Sequence, residues 1–284
     1  MRKFFEGLGI ISLLICSFWY TEKTALVMKD NDEIMIQIKK TKEKEESNVT
    51  EAVVNQNTII PGIHGTEIDI NESYNKMKEI GYFDTSFFIQ KDVKPKILLH
   101  QNYDKYIIKG NKKKNSISLL FLIDQNTPIK DVETILNILE KKNISVDFFV
   151  DGTFLENNND LMYEIIQKRH YLQNLSYNRD YSDPSFLWLD AVLKKLNHEK
   201  SGFCYSEKKE QSILHICSMY KNHVIIPTHT LEKGEFLSLK KNLEAGNLIG
   251  IKINASILEE LPMMIDYIKA KGYKIKNLKE HLEE

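Results

Sequence analysis

The stretch Ser145-Val146-Asp147-Phe148-Phe149-Val150-Asp151-Gly152-Thr153-Phe154-Leu155 decides the fold. Its first six residues form a β-branched and aromatic run of strand length. Gly152 and Thr153 break that run, and apolar residues return at helical spacing over 161–169. A short apolar strand followed by an amphipathic helix is the repeating unit of a parallel α/β sheet, so the rest of the chain decides how often it recurs.

It recurs in both directions. Residues 117–123 form an apolar run of strand length, and Thr127-Pro128 opens a helix on which Ile129, Val132, Ile135, Leu136 and Leu139 share one face. Further strands are expected at 171–174, 202–205, 223–227, 248–253 and 273–275, with helices at 184–196, 208–220, 236–243 and 261–270. In the last helix Leu261, Met264, Ile265 and Ile268 form a stripe, Pro262 is expected in the first turn, and Gly272 follows the end. Such a pattern predicts an α/β fold whose sheet is covered by helices. Closure into a barrel would put a site at the strands' C-terminal ends.

The N-terminal third reads differently. Arg2 and Lys3 precede a mostly apolar stretch from Phe4 to Tyr20, interrupted by Glu6 and ending in Phe18-Trp19-Tyr20. Basic residues on one side and interfacial aromatics on the other predict a signal anchor over 1–20, with a single pass and the body outside the cytoplasm. A cleaved signal peptide is the alternative, although no Ala-x-Ala-like site follows, and a buried core helix is a third reading. The mixed-charge run from Lys39 to Glu46 and the polar residues after it read as a tether, so 21–57 is taken as a linker. Residues 58–110 form a small α+β leader region, with a helix capped by Asn71, carrying Tyr74, Met77 and Ile80, and stopped by Gly81. Short strands are expected at 86–89 and 106–108. The α/β domain then occupies 111–284.

Composition narrows the functions. With 284 residues, 42% hydrophobic and 28% charged, the chain is neither disordered nor a coiled coil. Lys+Arg 39 against Asp+Glu 40 leaves a formal charge of −1, so no bulk electrostatic pull toward nucleic acid exists. Cys16, Cys204 and Cys217 make no zinc-binding spacing and are expected as free thiols.

Two segments carry a resemblance to a known family. The strand and helix beginning at Ser145, together with Ala245-Gly246-Asn247-Leu248-Ile249-Gly250-Ile251 and the run from Leu261-Pro262 to Lys271-Gly272-Tyr273-Lys274, resemble the polysaccharide deacetylases, the chitooligosaccharide deacetylase homology domain. The resemblance spans 117–282 and implies a distorted (β/α) barrel. It further implies hydrolysis of acetyl groups from chitin-like or peptidoglycan sugars by a divalent metal such as zinc, held by one Asp and two His.

The same register shows what is missing. The family's first strand ends in Thr-Phe-Asp-Asp-Gly, where the first Asp is the base and the second a metal ligand. Here Asp124-Gln125-Asn126 stands there, so the resemblance keeps the base position at Asp124 and loses the ligand. The family's Gly-Asn-His-(Ser/Thr)-x-x-x-His is replaced by Gln173-Asn174-Leu175-Ser176-Tyr177-Asn178-Arg179. Leu175 has no lone pair and Arg179 no acceptor. Lys252 occupies the place of the family's acid His. A rebuilt metal site would have to draw on Gln125, His229 and His170, but isolated histidines without ligand spacing read more simply as hydrogen-bonded or surface imidazoles. The expectation is therefore a degenerate pocket made of Asp124, Gln125, Asn174, Leu175, Arg179, His229 and Lys252, without metal, in which Arg179 or Lys252 neutralises Asp124. Tyr177, Trp188, Phe203 and Tyr205 are candidates to stack on sugar rings. The functional expectation is a catalytically inactive cell-envelope protein that binds glycan or regulates a partner, with an active N-deacetylase or a protein-only scaffold as the alternatives.

Overall fold

The computed structural model describes the backbone of residues 2–233 and 236–284, and their side chains apart from those of 2–12 and 14. In chain order the first elements are α1 (Arg2–Asp30), α2 (Glu33–Glu45), β1 (Val53–Asn55), β2 (Thr58–Ile60), β3 (Gly65–Ile68), α3 (Ile70–Ile80), β4 (Gln90–Val93) and β5 (Tyr106–Ile107). Then come β6 (Ser116–Ile123), α4 (Ile129–Lys142), β7 (Asp147–Val150), α5 (Gly152–Asn157), α6 (Asn159–Gln167), β8 (Tyr171–Asn174), α7 (Phe186–Asn197) and β9 (Gly202–Tyr205). The last are α8 (Gln211–Met219), β10 (Asn222–Ile225), β11 (His229–Leu231), α9 (Phe236–Asn242), β12 (Leu248–Lys252), α10 (Ala255–Ala270), β13 (Lys274–Ile275) and α11 (Leu278–Leu282). They fall into two compact units, Met1–Val49 with His64–Lys94, and Thr50–Ile63 with Pro95–Glu284.

In the smaller unit β3 and β4 pair antiparallel, and α2 and α3 supply buried apolar residues. Asp32 caps α2 by accepting the Ile34 N–H at 3.0 Å, and Met35 and Ile38, one turn apart, are both buried. The segment read as a tether therefore contains a core-forming helix, whose apolar edge is masked in the sequence by the charges that follow it. Helix α3 is capped by Asp69 rather than Asn71, because the Asp69 carboxylate accepts the N–H groups of Asn71 and Glu72 at 3.0 Å each. Met77 is buried, Ile80 is exposed, and Gly81 ends the helix at φ +92°. The strand expected at 86–89 is instead a 3₁₀ turn, Thr85–Phe87, because Asp84 accepts the Ser86 N–H at 2.8 Å and starts a turn. Among the described residues no helix is long and apolar enough to cross a membrane. The anchor expected over 1–20 falls largely on residues whose side chains lie outside the description.

The larger unit is built on a sheet of order β1-β2-β5-β10-β9-β8-β7-β6-β12-β11, with β13 also pairing with β6. Among its described strands only β1 and β2 pair antiparallel. The boundary expected at 110/111 is thus displaced, since β2 and β5 belong to this sheet through β10. Alternation along β6 sorts its side chains: Ile117, Leu119, Phe121 and Ile123 pack with Val132, Ile135 and Leu136 of α4 and Leu261 and Ile265 of α10. Leu120 and Leu122 face the other way, among Phe149, Leu175, Tyr205, Ile225 and Leu248. In a flat sheet β9 and β12, four strands apart, would be separated by about 19 Å. Yet a Cβ added at Gly250 of β12 would stand 2.4 Å from the Tyr205 hydroxyl of β9. The sheet is therefore curled into a half-barrel around the inner cluster, and Gly250 leaves room for the phenol. No pairing of described strands joins its ends, β1 and β11.

Two local expectations are overturned. Helix α10 starts at Ala255, because Asn254 accepts the Ile257 N–H at 3.2 Å, and this places Pro262 inside the helix rather than in its first turn. Cys204 and Cys217 are joined as a disulfide with a Cα–Cα distance of 6.6 Å. The alternation of β9 turns Cys204 to the outer face, where α8 brings Cys217 against it among Tyr106, Tyr181 and Phe186. The bridge closes a short loop, so the double variant Cys204→Ser, Cys217→Ser should lose about 3 kcal/mol in urea unfolding without reductant.

Candidate functional site

The C-terminal ends of β6, β7, β8, β9 and β12 form the mouth of the half-barrel. The loop after β8 is pinned there by β7: Asp151 accepts the N–H groups of Thr153 at 2.9 Å and of Asn178 at 2.5 Å, and the Gly152 N–H donates to the Ser176 carbonyl at 2.8 Å. The Tyr177 ring covers Gly152 so closely that a Cβ there would meet ring atoms at 2.3–2.6 Å. This clamp fixes where the sequence after Asn174 can point.

Leu175 is 0% exposed and belongs to the inner apolar cluster. Asn174, also buried, turns its Oδ1 onto the Ser176 N–H at 2.7 Å, which leaves its Nδ2 without a partner among the described residues. Arg179, in the left-handed region at φ +62°, reaches Glu207 at 2.7 Å. Glu207 also lies 3.5 Å from Lys252, and Lys252 is further paired with Glu232. The result is one chain of ion pairs, Arg179–Glu207–Lys252–Glu232, drawn from the ends of four different strands or their loops. Lys252 holds Glu232 below the ordinary carboxylate range. Beneath the chain, burial pushes Tyr205 up to about 12, and its hydroxyl lies 3.3 Å from the Thr230 hydroxyl. A recess of about 350 Å³ lies beside it, lined by Arg179, Tyr181, Tyr205, Glu207 and Lys208 among others.

The expected pairing of Asp124 with Arg179 or Lys252 is not formed. Asp124 is exposed, and its Oδ1 accepts the Asn126 N–H at 3.0 Å and the Thr127 hydroxyl at 3.1 Å. It closes its own turn. Because water and two local donors satisfy the carboxylate, the argument that a buried charge needs a cation does not apply. Asp124→Ala should cost about 1 kcal/mol through the lost turn, read from chemical denaturation.

None of the other expected members joins the ion-pair chain. Gln125 is exposed beside Asp124. His229 alternates with Thr230, whose hydroxyl faces Tyr205, and so shares the opposite face with Leu231 of the outer cluster. His170 sits at the other end of β8, where its Nδ1 accepts the Val146 N–H at 3.2 Å, and burial lowers its pKa to about 4. Of the aromatic residues, Tyr177 donates to Glu156 at 2.6 Å, Trp188 stands exposed on α7, Phe203 lies near His223 at the strand bases, and Tyr205 fills the interior. They line no common groove. Glu207 and Glu232 were missed by sequence reading; the signal that could have found them is their place in the loops just after β9 and β11, at the C-terminal ends of strands.

The donor set does not suit a divalent metal. An aliphatic side chain replaces one imidazole, a guanidinium already paired with Glu207 replaces the other, and a neutral amide replaces the carboxylate. Among the described residues no three His, Cys, Asp or Glu side chains gather to hold a metal ion.

Comparison with solved structures places this architecture. Wild-type BA3943 of Bacillus anthracis, described as a CE4 family pseudoenzyme, superposes with a TM-score of 0.67 at 20% identity, covering 89% of this chain and 96% of that one. The chain has the CE4 polysaccharide deacetylase fold. A BA3943 mutant with restored enzymatic activity matches equally well, at TM-score 0.67, 20% identity, and coverage of 89% and 98%. The Bc1960 peptidoglycan N-acetylglucosamine deacetylase superposes more loosely, at TM-score 0.52 and 17% identity over 62% of this chain and 92% of that one. In sequence, the uncharacterized protein YlxY of Bacillus subtilis (strain 168) is 34% identical over 138 residues, 49% of this chain. The match spans 42% of that relative's length. No family model matches the chain.

Proposed function

We propose that this protein is a membrane-anchored, extracytoplasmic pseudoenzyme of the polysaccharide deacetylase type that binds cell-envelope glycan without hydrolysing it. The observation that carries this reading is the ion-pair chain Arg179–Glu207–Lys252–Glu232 together with the buried Leu175, since Leu175, Arg179 and Lys252 stand where the resemblance puts the two metal imidazoles and the acid. A gem-diol pathway needs a metal to acidify water and polarise the amide carbonyl, and these side chains do neither. Charged and phenolic groups at a recess of about 350 Å³ offer donors and acceptors to sugar hydroxyls instead. The Cys204–Cys217 disulfide supports an oxidising compartment. Exposed Phe18, Trp19 and Tyr20 on α1, preceded in sequence by Arg2 and Lys3, support the anchor and its orientation.

The test pairs two measurements on the purified chain: acetate release from N-acetylglucosamine oligomers with elemental analysis for zinc, and pull-down on the same oligomers and on peptidoglycan. Retention on glycan, weakened in Glu207→Gln, with no acetate release is the expected result. Zinc-dependent acetate release would establish an active deacetylase. Failure to bind any glycan would leave a protein-only scaffold.

A further inference from the structure

At the other end of the strands, away from the mouth, the ends of α4 and α6, β13 and the start of α11 surround a recess of about 600 Å³. That is the size of a small-molecule site, and its lining is polar. Arg169 stands on its wall. The residue terminates α6, its N–H donating to the Ile166 carbonyl at 2.9 Å, and its backbone lies in the left-handed region at φ +64°, a position that favours glycine. Its carbonyl is held by the Ser145 hydroxyl at 2.5 Å. The two lysines of the recess are already engaged, Lys168 with Glu140 and Glu164 and Lys276 with Glu280. The guanidinium of Arg169 has no carboxylate partner among the described residues, in contrast to Arg179 in the mouth.

A long cation kept at a glycine-favouring corner, facing a polar recess and unpaired, is suited to bidentate capture of an anion. The rest of the wall adds amides (Asn143, Gln167), the Glu140 and Glu280 carboxylates and the Tyr171 phenol. Such donors and acceptors match a polyhydroxylated body better than an apolar one. We propose that this recess binds a phosphorylated sugar, with the phosphate on Arg169 and the sugar hydroxyls on the amides and carboxylates. The site lies on the face opposite the mouth and does not depend on how the mouth is read.

Calorimetric titration of the full chain with N-acetylglucosamine 6-phosphate, N-acetylglucosamine and inorganic phosphate tests it. The phosphosugar is expected to bind about ten-fold tighter than either fragment. R169G should weaken the phosphosugar and phosphate by about ten-fold and leave the plain sugar unchanged. It should also raise Tm by about 2–4 °C, because glycine relieves the left-handed backbone. That rise certifies a folded variant, and R169K, which keeps charge without the fork, should fall between. No phosphosugar binding at millimolar concentration, or equal binding by the native chain and R169G, would overturn the assignment.

Discussion

The triple variant Gln125→Asp, Leu175→His, Arg179→His should unfold at a lower temperature than the native chain without zinc and recover when zinc is added, whereas the native chain should not respond. Leu175 is fully buried in the inner cluster, so an unliganded imidazole there loses apolar contacts and strands a polar group. Together these cost about 3 kcal/mol, a fall in Tm of about 6–12 °C. Zinc at a hundred times its dissociation constant would return about 3 kcal/mol. The size of the recovery thus reports affinity directly in a thermal-shift series. Acetate release is not expected to appear with it, because Lys252 still stands at the acid position and is paired with Glu232. A zinc-dependent rise in the Tm of the native chain would contradict the reading of the mouth. A triple variant that is destabilised yet indifferent to zinc would mean that the three side chains do not converge.

Strands β6 to β9 and β12 could be read from the sequence because each is a short apolar run between helices whose stripes face one core. The register of the missing ligands could be read because it rests on flanking segments rather than on the altered residues. What stayed hidden depends on chain-distant partners. Asp124 appeared to need a cation only on the assumption of burial, and Thr127, three residues on, supplies the donor that an exposed turn requires. Glu207 and Glu232 lie on loops whose convergence with Lys252 depends on the curl of the sheet, and that curl is revealed only where Tyr205 meets Gly250. The disulfide was missed for a related reason: its cysteines stand 13 positions apart, and only the outward face of β9 aims one at the other. In the smaller unit, Ile34, Met35, Ile36 and Ile38 are four apolar side chains beside a long run of charge, of which only Met35 and Ile38 are buried, a signal too short to announce a core helix before its partner is known.

Acidification from pH 7 to pH 5 should destabilise the larger unit by about 3 kcal/mol, the balance of two opposed groups of buried ionisable residues. Burial lowers His170 to about 4, and His223 and His281 to about 3. Each is neutral when folded, while the unfolded imidazole takes up a proton below pH 6.5, so stability falls as pH drops through the window from 6.5 toward 3–4. Three such groups lose about 6 kcal/mol by pH 5. Asp147 works against them. Burial raises its carboxyl to about 7 even though it accepts from Leu278 N–H at 2.6 Å and Gln173 Nε2 at 2.9 Å, so its cost accumulates as pH rises from about 4 to 7 and is relieved on acidification, returning about 3 kcal/mol. Thermal unfolding between pH 4.5 and 8 should therefore show a steep acid limb below 6.5 and a shallow decline or plateau near neutrality. His223→Phe separates the contributions: the imidazole stacks on Tyr103 at 4.3 Å between ring centroids, and its Nδ1 has no hydrogen-bond partner, so a phenyl ring should keep the packing. The variant should match or exceed the native Tm at pH 7.5 and lose about a third of the histidine-driven acid slope. An unchanged slope in that variant would show that His223 is protonated in the folded protein and that the acid limb arises elsewhere.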